Sequence, residues 1–342
     1  MLRATMKYGA IGAKVMALYG RLLSPEDWRR ICECASVSDV ILFLKNHSGW
    51  SKALSSLSPN ASGEEVSQAA EKELWSQYEK LYKFSYLEDK RYLDFFLYRA
   101  DMERIVAAIG GLCADRGGSH FGEVSEFVLA HSSVDSAALQ SCTDLKGLAD
   151  AAAGSIYEDV LRRLSAEKAG GKPDYAQAAV LLENQYYKAV FAYVTKKYTG
   201  MGRAKLIETV GAQADLLNIA SLLRLFRYFP ASLTEAQSLL IPVHYRLTPQ
   251  LMRRLSAAES EEQAMELLQR SPCRRYLPQG GGERPEVLYD RAMGDFCARL
   301  IKAPSPSLST PQAYLILKEM ECRRLIRIVQ AVSYGLDPKT SL

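Results

Sequence analysis

The stretch "LSPEDWRR" occupies Leu23–Arg30, and "LTPQLMRR" occupies Leu247–Arg254 of this 342-residue chain. The leucine, the proline and both arginines coincide, and Ser24 against Thr248 is a conservative change. Both segments read as helix starts. Ser24 and Thr248 can accept a hydrogen bond from the free N–H groups of a first turn. Pro25 and Pro249 then stand at the first helical position, where a missing N–H costs nothing. In the first copy Asp27 places a carboxylate against the positive end of the helix. The offset of 224 positions, carried onward, pairs Ile31 with Leu255, Ile41 with Met265 and Leu44 with Leu268, so the apolar face of the next helix is preserved too. Half of that offset leaves room for a third copy, which we place around "CTDLKGLADAA" at 142–152.

A second element recurs near the end of each third. In "RADMERIVAAIG", "QADLLNIASLLR" and "EMECRRLIRIVQ" the acids Asp101, Asp215 and Glu321 fall in register. Each is followed at +3 by a hydrogen-bonding residue (Arg104, Asn218 or Arg324), and at +4 and +8 by aliphatic residues. Two independent elements therefore share a period of about 110 residues, longer than any single helix-pair repeat. An aromatic-rich helix precedes each acid: "LWSQYEKLYKF", "LENQYYKAVFAYV" and "VLYDRAMGDFCARL".

The periodicity throughout is helical. Val37, Val40, Ile41 and Leu44 make one stripe, as do Leu74, Tyr78, Leu81 and Tyr82, and Tyr186, Tyr187, Val190 and Val194. Leu217, Ile219, Leu222, Leu223 and Phe226 form the wider band of a deeply buried helix. Strand alternation and hairpin turns are missing. The fold class is all-α, with breaks at "GLCADRGGSH", "EKAGGKPDY", "YFPASLTEA", "PQGGGERP" and "APSPSLSTP". Two of these breaks divide the chain into helical repeats 1–112, 113–230 and 231–342.

Bulk properties narrow the function classes. The chain is 48% hydrophobic and 24% charged, as soluble domains are, and 43 basic against 39 acidic residues leave only +4, which argues against nucleic acid. Seven scattered cysteines, an odd number with no signal peptide ahead of them, fit a reducing cytoplasm. Uninterrupted apolar runs such as "VILFL" fall far short of the ~20 residues that cross a bilayer. "AEKAGGKP" lacks the first glycine and the hydroxyl of a phosphate loop, and "GMGRAK" lacks the third glycine of a dinucleotide fingerprint. Cys32 and Cys34 have no second thiol or histidine pair at zinc spacing, and read as small apolar packing. His47, His120, His131 and His244 are scattered, so no triad can be assembled. The nineteen tyrosines read as core residues with polar tips rather than stacking platforms. No catalytic residue, metal or cofactor is expected.

The repeats, taken with "YGAIGAKVMALYGRLLSPEDW", "LENQYYKAVFAYV", "ADLLNIASLLRLFRYF" and "AYLILKEMECRRLIRIVQAVSYGL", resemble the C subunit of the archaeal and bacterial V/A-type rotary ATPases, a relative of the d subunit of eukaryotic vacuolar ATPases. The resemblance runs from residue 8 to residue 336. It implies three similar helical domains around a pseudo-threefold axis, forming a funnel. It also implies a non-catalytic rotor subunit, a socket that couples the central shaft (D- and F-type subunits) to the membrane ring and transmits torque. Such a subunit is cytoplasmic and touches the membrane only through the ring. In this chain only the middle copy carries Asn218 at +3, which sets the three copies apart.

Asp101, Asp215 and Glu321, with Arg104, Asn218 and Arg324, read first as structural polar positions that fix helix packing. A sharper reading puts them on a face that grips the shaft. Arg224, Arg227, Arg323 and Arg327 are the expected partner contacts, since arginine is enriched at binding hot spots. The rival reading is a free-standing helical scaffold for protein partners. An enzyme working through Asp101 or Glu321 stands further off.

Overall fold

A computed structural model describes residues 2–114, 125–167, 173–228, 240–277 and 284–341. Among these residues there are fifteen α-helices, two short 3-10 turns and no strand, so the chain is all-α. The breaks expected at 111–120, 167–175, 228–236 and 278–285 lie largely outside the described residues.

The two opening segments do start helices, and for the expected reason. Ser24 accepts from the backbone of Asp27, and the Asp27 carboxylate accepts from Ser24 N–H at 2.8 Å, closing a capping box ahead of α2 (Pro25–Cys32). Ser36 and Asp39 repeat the device ahead of α3 (Val37–Asn46). Thr248 caps α12 (Pro249–Ser256) through Leu251 N–H, and Ser260 caps α13 (Glu261–Gln269) through Gln263 N–H. Each pair is two short amphipathic helices whose inner faces are buried: Ile31, Val40, Ile41 and Leu44 in one, Leu255, Ala264 and Leu268 in the other.

The middle copy begins earlier than the sequence placed it. Asp135 caps α7 (Ser136–Ser141), and Asp144 caps α8 (Leu145–Ala151). The stretch at 142–152 is thus the second helix of the pair, and the opening element is the one that starts at Asp135. An aspartate cap without a following proline, and a shorter spacing between the two caps than in the other copies, hid it.

Packing divides the chain into two compact units. One joins the residues up to Tyr86 to those from Gly294 onward. It contains α1 (Leu2–Tyr19), α2, α3, α4 (Gly63–Phe84) and α15 (Ser309–Ser333), and α15 packs on α1, α3 and α4. Trp50, Leu54, Val66, Ala70, Leu325, Ile328 and Val329 share its core with the short pair. The segment "STP", expected to be loop, is the first turn of α15, where Pro311 forfeits no internal hydrogen bond.

The other unit is built on α5 (Leu87–Cys113), α10 (Tyr175–Lys197) and α11 (Gly200–Tyr228). In it α10 packs on both long neighbours, α5 packs on α6 (Glu126–His131), α7 and α8, α9 (Glu158–Glu167) packs on α8 and α10, and α11 packs on α13. Phe95, Tyr98, Tyr186 and Tyr193 interlock between α5 and α10 with ring centroids 5.3–6.5 Å apart. By length and composition α11 could cross a membrane, with mean hydropathy 1.2 over its most apolar stretch, but 78% of that stretch is buried in the protein. Its apolar band is used on internal packing. The remaining helix, α14 (Pro285–Ile301), belongs to this unit up to Met293 and to the first from Gly294.

Candidate functional site

All three repeat acids are buried: Asp101 on α5, Asp215 on α11 and Glu321 on α15. Their bonds run to the chain itself. Each holds a segment just ahead of a short-helix cap. For Asp101 and Asp215 the cap lies further on in the chain, at Asp135 and Thr248, and for Glu321 it lies near the beginning, at Ser24.

Asp215 is the clearest case. Its carboxylate accepts the backbone N–H groups of Tyr245 (3.2 Å), Arg246 (2.6 Å) and Leu247 (3.2 Å), the three residues before cap Thr248, and the Tyr276 hydroxyl at 3.4 Å. Burial pushes this carboxyl above the ordinary aspartate range, and the three N–H donors and the Tyr276 hydroxyl pull it back. Asn218, one turn on, donates to Ile241 O (2.9 Å) and accepts from Ile241 N–H (2.8 Å), pinning the chain a few residues ahead of Tyr245. Glu321 accepts Leu23 N–H at 2.6 Å, directly before cap Ser24. It also takes the Trp50 indole N–H (3.1 Å) and the Lys318 ammonium (2.8 Å). Lys318 is itself buried and lies 3.9 Å over the Trp50 ring; burial would lower its pKa, but Glu321 holds it above the ordinary lysine value. Asp101 accepts Ser133 N–H at 2.7 Å, and the hydroxyls of Ser132 (2.8 Å) and Ser133 (2.7 Å), just before cap Asp135. Arg104 binds Asp101 and reaches on to Ser136 Oγ at 2.7 Å.

The +3 residues therefore do one job by three chemistries. Arg104 and Asn218 hydrogen-bond the loop, and Arg324 lies 4.4 Å over the Trp28 ring of α2. A carboxylate suits this task because its two oxygens accept several N–H groups at once, and burial makes those bonds strong. The sequence displayed the acids but gave no sign of which turn each would hold, since in every case the turn itself is held through backbone N–H groups that any residue supplies.

Close approach at the Asp215 joint depends on Gly211, one turn before the acid. A methyl there would run into Tyr245, whose ring Cγ would lie at 2.8 Å. Gly211→Ala is expected to destabilise the protein by about 1–3 kcal/mol, because the held loop must move. Gly202→Ala on the same helix meets nothing within 4 Å and is expected to be neutral, or to stabilise by up to about 1 kcal/mol. Equal melting curves for the two variants would refute this account.

The four arginines singled out as partner contacts sit on α11 and α15. Arg224 pairs with Glu286 through Nε (3.0 Å) and Nη2 (2.8 Å), with both side chains about half exposed. Arg227 clasps Glu261 with Nε and Nη2, and Arg323 pairs with Glu319 at 2.7 Å. Arg327 is exposed on α15. The pairs leave guanidinium surface facing outward and fix its position.

A cleft of about 330 Å³ beside α2 is lined by Leu23, Pro25, Trp28, Arg29 and Arg324, with no acid, base or nucleophile on its walls. The described residues contain no group of three or more His, Cys, Asp or Glu able to hold a metal. Cys32 ends α2 and Cys34 lies beyond it, and burial pushes both thiols up, away from reactivity. "GMGRAK" forms the opening turns of α11 directly after α10, with no strand before it. "AEKAGGKP" lies largely outside the described residues.

What these joints can do is mechanical: they lock long helices to the short pairs beside them. The same joints fall within the span that matches known proteins. A family model described as ATP synthase (C/AC39) subunit matches residues 11–341. The C subunit of the A-type ATP synthase of Thermococcus kodakarensis is 23% identical over 351 residues, covering 97% of this chain and 88% of that protein. With the match running from α1 to the C-terminal turn, through all three acids, this chain belongs to the ATP synthase (C/AC39) subunit family.

Proposed function

We propose that this chain is the rotor socket of a V/A-type rotary ATPase, a non-catalytic subunit that seats the D- and F-type shaft subunits and rides on the membrane ring. Torque then passes from the head, where ATP turns over, to the ring, where ions move. In this reading the thirds 1–112, 113–230 and 231–342 stand around a pseudo-threefold axis as a funnel. The subunit is cytoplasmic and is carried at the membrane by the complex.

The observation that supports this most strongly is the family match over practically the whole chain. The buried joints fit the role. A coupling under load must not deform, and each acid fixes a loop through several hydrogen bonds in a low-dielectric interior, where breaking them is costly. Arg224, Arg227, Arg323 and Arg327 are the proposed contacts to the shaft or ring. Held by Glu286, Glu261 and Glu319, the first three lose less side-chain freedom on binding than free arginines would.

The test is affinity capture of the tagged chain from gently solubilised native membranes, followed by mass spectrometry. Shaft, ring and head subunits are expected in fixed proportion. Recovery of the chain alone, or with unrelated soluble proteins, would overturn the rotary reading and leave a free-standing scaffold. Arg224→Ala with Arg227→Ala is expected to reduce shaft recovery at least tenfold while melting like the parent, because two interface arginines at about 1–2 kcal/mol each account for that factor.

A further inference from the structure

One surface feature is used by neither the joints nor the partner arginines. Between Val194 and Lys205 the sequence "VTKKYTGMGRAK" carries four basic residues and no acid. It forms the turn between α10 and α11. Gly200 turns the chain with φ +57°, which an L side chain rarely adopts, and Met201 stands 72% exposed at the tip. Lys196 and Lys197 are exposed just before the turn, and a side chain built at Gly200 or Gly202 would meet nothing within 4 Å. The turn is anchored from below. The Tyr198 hydroxyl reaches Asp89 at 3.4 Å, and its ring lies 6.1 Å from that of Tyr92, both on the first turns of α5. Two residues before Asp89, Leu87 is 85% exposed. One end of this unit thus offers two protruding apolar side chains, Met201 and Leu87, beside Lys196, Lys197 and Arg203, with Glu88 the exposed acid next to Leu87.

We infer that this turn touches the headgroup layer of an anionic phospholipid membrane, with Met201 and Leu87 dipping among the lipids and the lysines facing the anionic headgroups. Two physical points favour lipid over a protein surface. A stable protein contact needs roughly 1,000 Å² of complementary surface, and a glycine-flanked turn with two apolar tips supplies little of that. A charged lipid surface demands no shape complementarity; it attracts clustered lysines and accepts isolated apolar side chains. The inference rests on the rotary reading only in that a chain carried on a membrane ring has such a surface within reach, and it departs from the expectation that the membrane is touched through the ring alone.

The experiment uses the full chain and extruded vesicles of phosphatidylcholine alone or with about a third phosphatidylserine. Co-sedimentation is expected with the anionic vesicles, weakly or not at all with neutral ones, and is lost in high salt because exposed charges are screened. Each basic residue near such a surface strengthens binding about fivefold. Lys196→Glu with Lys197→Glu should therefore weaken it by at least about 25-fold, and Met201→Asp should weaken it with every lysine still present. All these positions are exposed, so unchanged melting confirms that the fold is intact. Absence of binding to anionic vesicles, equal binding to neutral ones, or binding unmoved by the variants each overturns the inference. So does a chain that ignores vesicles while its double-lysine variant loses ring or shaft subunits on capture, for the turn would then be a protein contact. Failure of the rotary reading shows separately, as absence of rotary subunits from the unmodified capture.

Discussion

Glu321→Ala is expected to cost the Trp-bearing unit about 3–5 kcal/mol, the usual penalty for leaving a buried charge without its partner. Lys318 and Glu321 are both almost fully buried, and Glu321 supplies the carboxylate 2.8 Å from the ammonium. The substitution strips three donors at once: the Lys318 ammonium, the Trp50 indole N–H and Leu23 N–H. Leu23 N–H is the link that ties α15, near the end of the chain, to the cap of α2, near its beginning. Trp28, Trp50 and Trp75 are the only tryptophans in the protein, and all lie in this unit, so their fluorescence in urea reports on it alone. Lys318→Met in the Glu321→Ala background is expected to recover much of the loss, because an apolar side chain of similar length removes the stranded charge. A loss below about 1 kcal/mol, or no recovery in the double variant, would mean that water reaches the pair and that the joint holds little.

Asp215→Ala is expected to weaken the other unit by a similar amount, with the opposite spectroscopic pattern. Three backbone N–H groups lose their acceptor inside the protein, at about 1–3 kcal/mol for each that finds no substitute. Helical circular dichroism should fall at lower urea while tryptophan fluorescence keeps its midpoint, because that unit holds no tryptophan. Asp215→Asn should be less damaging than Asp215→Ala: the amide keeps one acceptor oxygen for the loop, while its own N–H groups face the remaining donors. The charge dependence also has a definite sign. Because burial raises the folded-state pKa of Asp215, its contribution is greatest below the unfolded value of about 3.9 and diminishes as pH climbs through the folded value. Stability measured upward from that pH should therefore decline less in Asp215→Asn than in the parent. A coincident shift of both signals in Asp215→Ala would refute independent reporting by the two units.

The same two joints show where the sequence was informative. Helix starts at Ser24 and Thr248 were legible because capping is local: a hydroxyl, a proline and a carboxylate within four residues satisfy N–H groups of the same turn. The all-α class was legible because apolar spacing reports which face is buried whatever it is buried against. The register of Asp101, Asp215 and Glu321 was legible as a pattern. The copy that starts at Asp135 was not, because its cap came without the proline and the serine or threonine that marked the others.

What the acids hold was a matter for tertiary structure alone. A carboxylate that accepts backbone N–H groups leaves no side-chain signature at the other end of the bond, so Tyr245–Leu247, Leu23 and Ser133 could not be recognised as partners beforehand. Repeats counted along the chain associate each acid with the short pair that precedes it. Folding associates Asp101 and Asp215 with the pair that follows, and Glu321 with the pair after Leu23, near the beginning of the chain. Local chemistry determined the helices and their buried faces. Which helix each buried acid would lock was decided only when distant backbone was brought within hydrogen-bonding reach.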